Sequence, residues 1–563
     1  MSQPNRHNPY SFDAFLEKLR GFDFYLDDPF LQRVVGHYAG KEWPQLHGKL
    51  AALSEKVSFR WRPLADEAAR PELRPSLQHY DAHNRRIDRI VRSGETRTLE
   101  REVFAEALFS EKVTAWEHFA KRLILDEMGE AGVLCPMACT EGLIALIEAF
   151  PEDRRPELDR ILLHCKEGID GEFGLGAQFM SEIQGGSDIP ANLLEAQPEG
   201  DHYRIYGNKF FCSAIHTDYA VVTAKVTGSE EVGTFIVPAW LPGNKQKEIR
   251  NVARINRLKW KLGTVEVTTA EVDFDGEVAY AVGPTNRGVA NAVGIVLTLS
   301  RIAVGISSAA SMIRAAREAL LYSEFRDVFG KKICEFPLGL RQVRDLVDAA
   351  QRATAGAFKI YDLFLRLGRK LHGGLESKGT EEQRKLHFNL RELIIIQKFV
   401  LAYEAIDVLR KAISIFGGHG VMEDFSSLPR LFRDAMVNEL WEGPRNVLLM
   451  QVYRDLQRAS KWYDPREFVT SILQGAEAAE VNPLAAELKR FLDSPPWDSL
   501  DDESLDRAVA WEDYCDALFR GYQKQAVRDV GKAPIVSVEK LAFPELWTCE
   551  EVPTSRKRPA AVG

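Results

Sequence analysis

The chain of 563 residues carries 73 Lys and Arg against 82 Asp and Glu, a formal net charge of −9, and is 45% hydrophobic and 28% charged. At about 150 residues per domain, this length allows roughly three to four domains, each with its own core. No uninterrupted apolar run of about 18 residues or more is present, which predicts no membrane span, and the acidic balance makes nucleic acid an unexpected partner.

From the N-terminus, MSQPNRHNPYSFDAF has neither the apolar core of a secretory signal nor the Arg-rich, acid-poor character of a transit sequence, so cytoplasmic residence is expected. Residues 1–175 read as a helical domain: segments such as SFDAFLEKLRGF and REVFAEALFSEKVTAWEHFAKRLILDEM place apolar residues three and four apart. Within it, the polar, proline-punctuated stretch 70–88 reads as a long surface connection. The seven cysteines (Cys135, Cys139, Cys165, Cys212, Cys334, Cys515, Cys549) are scattered without a CxxC pair, so neither a disulfide framework nor a metal site is expected. Cys135 and Cys139, one helical turn apart, read as small packing residues on one face.

Near residue 176 the pattern changes. HYRIYGNKFFCSAI, YAVVTAKV, GTFIVPAWL and VEVTTAEVDFDGEVAYAV are rich in Val, Ile, Thr and aromatics and are separated by glycine or polar turns, predicting a β domain over 176–287. Helical periodicity returns from 288 to 460, where four antiparallel helices are expected, joined by polar segments such as 372–383. Residues 461–563 form a separate helical extension, interrupted by the DSPPWDSLDD break at 493–502. It holds 13 basic and 19 acidic residues, with only Arg556, Lys557 and Arg558 locally basic, a short solvated end. The fold class is therefore α+β, mostly α.

Three motifs carry chemistry. MSEIQGGSDI at 180–189 is a glycine turn with flanking hydroxyls beside a strand, ISIFGGHG at 413–420 is a glycine-rich break between helices, and LWEG at 440–443 sets one carboxylate, Glu442, beside a tryptophan. A loop lying against a flat ring or a phosphate must bring its backbone closer than a Cβ permits, and Gly185 and Gly186 meet that need.

The order of helical domain, β domain and helical bundle, taken with these motifs, resembles the acyl-CoA dehydrogenase family of flavoproteins over about residues 10–460. The resemblance is nearest to the AidB-like branch, through LCPMACT (134–140), MSEIQGGSDI, KFFCS (209–213), FRDVFGKKI (325–333) and SSLPRLFRDAMVNELWEGPRN (426–446). It implies a bound FAD. By position, Met180 and Ser181 contact the pyrimidine edge of the flavin, with Gly186 and Ser187 beside flavin or substrate. Phe211 stands where many members stack a tryptophan on the ring, and Ser213 where they carry a threonine hydroxyl. Arg326 is implied to reach the FAD pyrophosphate of a neighbouring chain across a dimer interface, with Phe329 beside it a further FAD-binding candidate, so a homodimer or homotetramer is expected. Gly417 and Gly418 would cradle the adenine end or pyrophosphate through their backbone, with Asn446 a further FAD-binding candidate. The sequence departs from the common pattern at Ser414, His419, Pro444 and Asn446.

In the same resemblance, Glu442 is the base that removes a proton next to a thioester carbonyl, and Arg301 of LSRIAVG orients or charge-balances it. The activity implied is FAD-dependent α,β-dehydrogenation of an acyl-CoA, with electrons passed to an electron-transferring flavoprotein. Two readings of other classes stay open. One is an AidB-like alkylation-response flavoprotein that binds DNA, which the acidic extension disfavours; the other is a long-chain acyl-CoA sensor without turnover.

Overall fold

The computed structural model describes residues 10–369, 379–494 and 499–547. Cys549, the basic triplet at 556–558, most of the 372–383 connection and the middle of the 493–502 break lie outside the described residues. Helices α1 (Asp13–Arg20), α2 (Pro29–Ala39), α3 (Trp43–Lys56), α4 (Arg62–Ala68), α5 (Gly94–Phe104), α6 (Ala115–Asp126), α7 (Ala131–Ala149) and α8 (Pro156–Lys166) come first. Four of their starts are capped by Asp28, Ser93, Thr114 and Glu130, each accepting the N–H of the third residue on, which satisfies donors the helix cannot.

The 70–88 stretch differs from expectation. It contributes to a hairpin, β1 (Ser76–Tyr80) antiparallel to β2 (Arg86–Val91). The buried Asp88 carboxylate gathers Arg86 Nε (2.9 Å), His79 Nδ1 (2.7 Å) and the Ile255 N–H of the β domain (3.0 Å). The polar residues that read as a loop are satisfied by one another and by that domain.

Strands β3 (Gly176–Phe179), β4 (Glu195–Glu199), β5 (His202–Cys212), β6 (Tyr219–Val226), β7 (Val232–Pro238), β8 (Arg254–Leu258) and β9 (Ala270–Ala281) form one seven-stranded sheet. Strands β4, β5, β9, β7 and β6 pair in a ring, with β3 added parallel to β6 and β8 antiparallel to β9. Alternate residues, among them Phe179, Ile205, Val222, Phe235 and Val272, fill its interior.

A short helix, α9 (Gly288–Asn291), passes through a π-helical turn at Ala292–Val296 into α10 (Leu297–Phe325). A two-residue hairpin pair, β10 (Asp327–Val328) and β11 (Lys331–Lys332), precedes α11 (Pro337–Arg366), α12 (Glu381–Phe416), α13 (Leu428–Asn438) and α14 (Arg445–Ala459). Two stretches, 131–149 and 288–325, are long and apolar enough to cross a membrane, but 67% and 72% of their most apolar windows are buried in the protein, the position of core helices. Helices α10 and α12 pack closely at Gly305, where a Cβ would stand 2.1 Å from Gln397 Nε2.

Helices α15 (Pro465–Ile472), α16 (Ala478–Asp493) and α17 (Asp502–Val530) make up the extension. Trp511, Tyr514, Leu518, Phe519 and Tyr522 of α17 join the same core as the bundle, and Trp511 Nε1 donates to Leu449 C=O of α14 at 3.0 Å. Each large buried apolar side chain contributes roughly 1.5–3 kcal/mol, so five of them make α17 an integral wall of the bundle.

Candidate active site

A cavity of about 520 Å³ lies where the ends of β3 and β5 meet α7, α10 and the α13–α14 connection. Met180, Ser181, Gly186, Ser187, Phe211, Ser213, Arg301 and Glu442 all line it. So do Cys135 and Cys139, which pack with Val267 and Trp441. The cysteines are thus both packing residues, as their spacing predicts, and part of the cavity wall.

Strand β3 runs directly into the 180–187 loop, and β5 holds that loop in place. The ammonium of the buried Lys209 donates to Met180 C=O (3.0 Å) and to Glu182 Oε1 (2.8 Å), while Phe210 N–H donates to Ser181 C=O (3.0 Å). Burial pushes the Lys209 ammonium down to about 8, against the pull of Glu182. Gly186 packs closely on Ser181, where a Cβ would come within 2.3 Å of its Oγ and 3.1 Å of its Cβ; at Gly185 a Cβ would meet nothing within 4 Å.

Glu442 sits in the α13–α14 connection at φ 58°, a left-handed conformation uncommon for a non-glycine residue, followed by Gly443 at φ 103°. Three side chains fix it. Lys398 Nζ of α12 donates to the carbonyls of Glu439 (2.7 Å) and Gly443 (2.6 Å), and Arg301 Nε donates to the Glu442 carbonyl (3.2 Å). Gln178 Nε2 donates to Glu442 Oε1 at 2.8 Å and exchanges a 3.3 Å hydrogen bond with Ser300 Oγ. Burial pushes the Glu442 carboxyl up to about 7, held from rising further by Arg301, Lys398 and the Gln178 hydrogen bond. Burial also brings Arg301 down to about 10 and Lys398 down to about 8. Arg301 therefore supports the backbone of Glu442 and biases its charge from a distance.

Gln178 and Lys398 lie outside the quoted motifs, though each left a trace, and Lys209 opens the KFFCS motif without a role assigned to it. The period of two in β3 puts Gln178 on the face of Met180, and Lys398 is a lone charge inside the apolar run LIIIQKFVLA.

None of the other candidate site residues lines the cavity. Arg326 follows α10 directly, Phe329 tops the β10–β11 turn at φ 49° and 99% exposure, and Gly417 (φ 60°) and Gly418 follow α12. The Arg326 guanidinium stands 4.9 Å from the Tyr10 ring centroid, and Phe12 touches both Phe325 (5.8 Å) and His419 (5.0 Å). At 1.5 Å rise per residue, α10 carries this second cluster about 36 Å from Arg301. Asn446 lies at the exposed start of α14, where its Oδ1 accepts the Val447 N–H at 2.9 Å.

The model of the acyl-CoA dehydrogenase C-terminal domain matches residues 286–457. Acyl-CoA dehydrogenase family member 11 of Caenorhabditis elegans is 28% identical over 471 residues, spanning 80% of this chain and 71% of that relative. The putative acyl-CoA dehydrogenase AidB of Escherichia coli K12 is 30% identical over 411 residues, spanning 69% of this chain and 70% of AidB. The chain belongs to the acyl-CoA dehydrogenase family. Members are FAD-dependent oxidoreductases acting on the CH–CH bond of acyl-CoA. Among solved structures, Bd2924 in its apo form shares the fold at a TM-score of 0.79 and 24% identity, over 90% of this chain and 98% of that one. Caenorhabditis elegans ACDH-11 in complex with C11-CoA shares it at 0.74 and 23%, over 97% of each.

The cavity fits the family's cofactor. Phe211 is half exposed, and the Ser181, Ser187 and Ser213 hydroxyls offer polar partners along the cavity wall. A flat ring with hydrogen-bonding edges matches that combination.

Proposed function

We propose that this chain dehydrogenates an acyl-CoA thioester to its trans-2-enoyl product, with Glu442 as the general base for the α-proton. The observation that carries the reading is the Glu442 carboxyl itself. It lines the cavity, one oxygen is fixed by Gln178, and its pKa is raised to about 7, where a carboxylate takes a proton near neutral pH. Met180, Ser181, the Gly186 backbone, Ser187, Phe211 and Ser213 would hold the FAD. When bound, FAD supplies the acceptor for the hydride that leaves the β-carbon. Leu134, Val304 and Leu431 add apolar wall, which excludes water from an acyl chain and keeps the base desolvated.

Arg326 and Phe329 lie too far along α10 to serve a cofactor that starts in their own cavity. We assign them to the FAD of a neighbouring copy in a homodimer or homotetramer, with Gly417 and Gly418 in the same remote cluster. The CarC subunit of the Acetobacterium woodii caffeyl-CoA reductase-Etf complex is 24% identical over 52% of this chain, which makes an electron-transferring flavoprotein the acceptor to test first.

The deciding experiment is anaerobic mixing of the FAD-loaded protein with acyl-CoAs of graded chain length, C11-CoA included, while flavin absorbance is followed. Bleaching by the wild type and its loss in Glu442→Gln support the proposal. Stoichiometric acyl-CoA binding without bleaching at any length replaces it with the sensor reading.

A further inference from the structure

No described residue of the extension lines the cavity, yet α17 reaches the loop that carries Glu442. Arg445, the first residue of α14, is buried; its Nε donates to Glu512 and its Nη2 to Asp516 (2.8 Å), both on α17. Its guanidinium carbon lies 5.2 Å and 4.9 Å from the ring centroids of Phe399 and Tyr403 on α12. The Arg445 N–H also donates to Glu439 Oε1 (3.1 Å), at the start of the same loop. One residue therefore ties the two ends of segment 439–445 together and joins them to α12 and α17.

The loop needs such a tie. A non-glycine residue at positive φ persists only where its surroundings over-determine it, and Glu442 is held at φ 58°. Lys398 and Arg301 secure the loop from the side of α12 and α10 through backbone carbonyls. Arg445 secures it from the extension, three residues beyond the base.

We infer that α17 positions the general base: Glu512 and Asp516, acting through Arg445, hold the 439–445 loop in the turn that turns Glu442 into the cavity. The inference rests on the assignment of Glu442 as base. Arg445 is a positioning residue, and so are its two carboxylate partners. The Glu512 and Asp516 side chains are 44% and 34% exposed while that of Arg445 is 10% exposed, so losing them costs some local stability at Arg445, but α17 stays docked through Trp511, Tyr514 and Leu518. Geometry is what they supply, and a misplacement of about 1 Å can cost roughly a hundredfold in rate.

The test compares the wild type with Glu512→Gln/Asp516→Asn, Arg445→Met and Arg445→Lys, all FAD-loaded. In the double variant the bleaching rate at saturating acyl-CoA is expected to fall about ten- to hundredfold while the apparent Kd stays within about twofold. Arg445→Lys is expected to recover part of what Arg445→Met loses. Amide hydrogen exchange across 439–445 should speed up in the double variant while exchange in α17 does not. A wild-type bleaching rate with unchanged loop exchange overturns the inference; so does an equal loss of protection in α17, which makes the pair a general brace. If no acyl-CoA bleaches the wild type, the assignment of the base fails, and the exchange measurement still decides whether α17 holds the loop.

Discussion

Two arginines at the two ends of α10 stand in different surroundings. Arg301 is buried, its guanidinium spent on the Glu442 carbonyl, within a cavity whose polar groups are fixed by residues of the same chain. Arg326 lies beside Tyr10 at the surface, next to the fully exposed Phe329. A base must be held to within fractions of an ångström, so its supports are assembled inside one fold. On the proposed reading, Arg326 is a cation for a phosphate pair, which works as a presented group, and the exposed aromatic beside it gains its burial only when a second copy docks.

The largest effect that tests this contrast belongs to Glu442→Gln. Loss of the base is expected to slow flavin bleaching by about a hundredfold to ten-thousandfold without preventing acyl-CoA binding, read by stopped-flow absorbance. The same variant has a sign in stability. The raised pKa means the folded state holds this proton more tightly than the unfolded one, so stability from this group is present below the ordinary carboxylate range and is lost as pH rises through about 7. Glu442→Gln should therefore melt no lower than the wild type at pH 8. Next in size is Arg326→Ala, expected to weaken FAD retention by roughly ten- to a hundredfold, the worth of a charge-assisted contact, while the Glu442 cavity stays intact. Flavin released on gel filtration measures it; unchanged retention would show that the remote cluster serves no cofactor.

What the sequence revealed follows the same division. Residues whose role depends on their type and local spacing, such as Gly186 in its turn and Glu442 after Trp441, stand out in a motif. The alternation of β3 to β9 and the helical periodicity from residue 288 likewise mark element types. Lys398 and Gln178 could not be placed, because each acts on a residue 41 or more positions away and its partner is a backbone carbonyl or a carboxylate that only the fold brings near. The 76–91 hairpin was hidden for a related reason: its polar residues looked solvated until Asp88 was seen to be paired from three sides.

Lys398→Met sharpens the point about support within one chain. It keeps the volume of the side chain but leaves the Glu439 and Gly443 carbonyls without their donor, at about 1–3 kcal/mol for a buried unpaired group. A lower melting temperature is expected, together with a slower bleaching rate, since the loop under Glu442 loosens. A stability loss with full rate would separate the loop's anchoring from the base's geometry.

Gln178→Leu gives the smallest effect and the most specific one. Gln178 donates to Glu442 Oε1, a bond that favours the ionised form, and the wild-type rate is expected to rise with pH through about 7 as the base loses its proton. Removing the donor leaves burial less opposed, so the carboxyl holds its proton to higher pH and the midpoint moves up, by less than about one pH unit for one neutral hydrogen bond. Below the midpoint the variant is slower than the wild type, by no more than roughly tenfold; above pH 8 the two converge. A uniform loss of rate at every pH would mean instead that Gln178 holds the carboxylate's direction. The midpoint of the profile thus separates an electrostatic role from a geometric one at a single side chain.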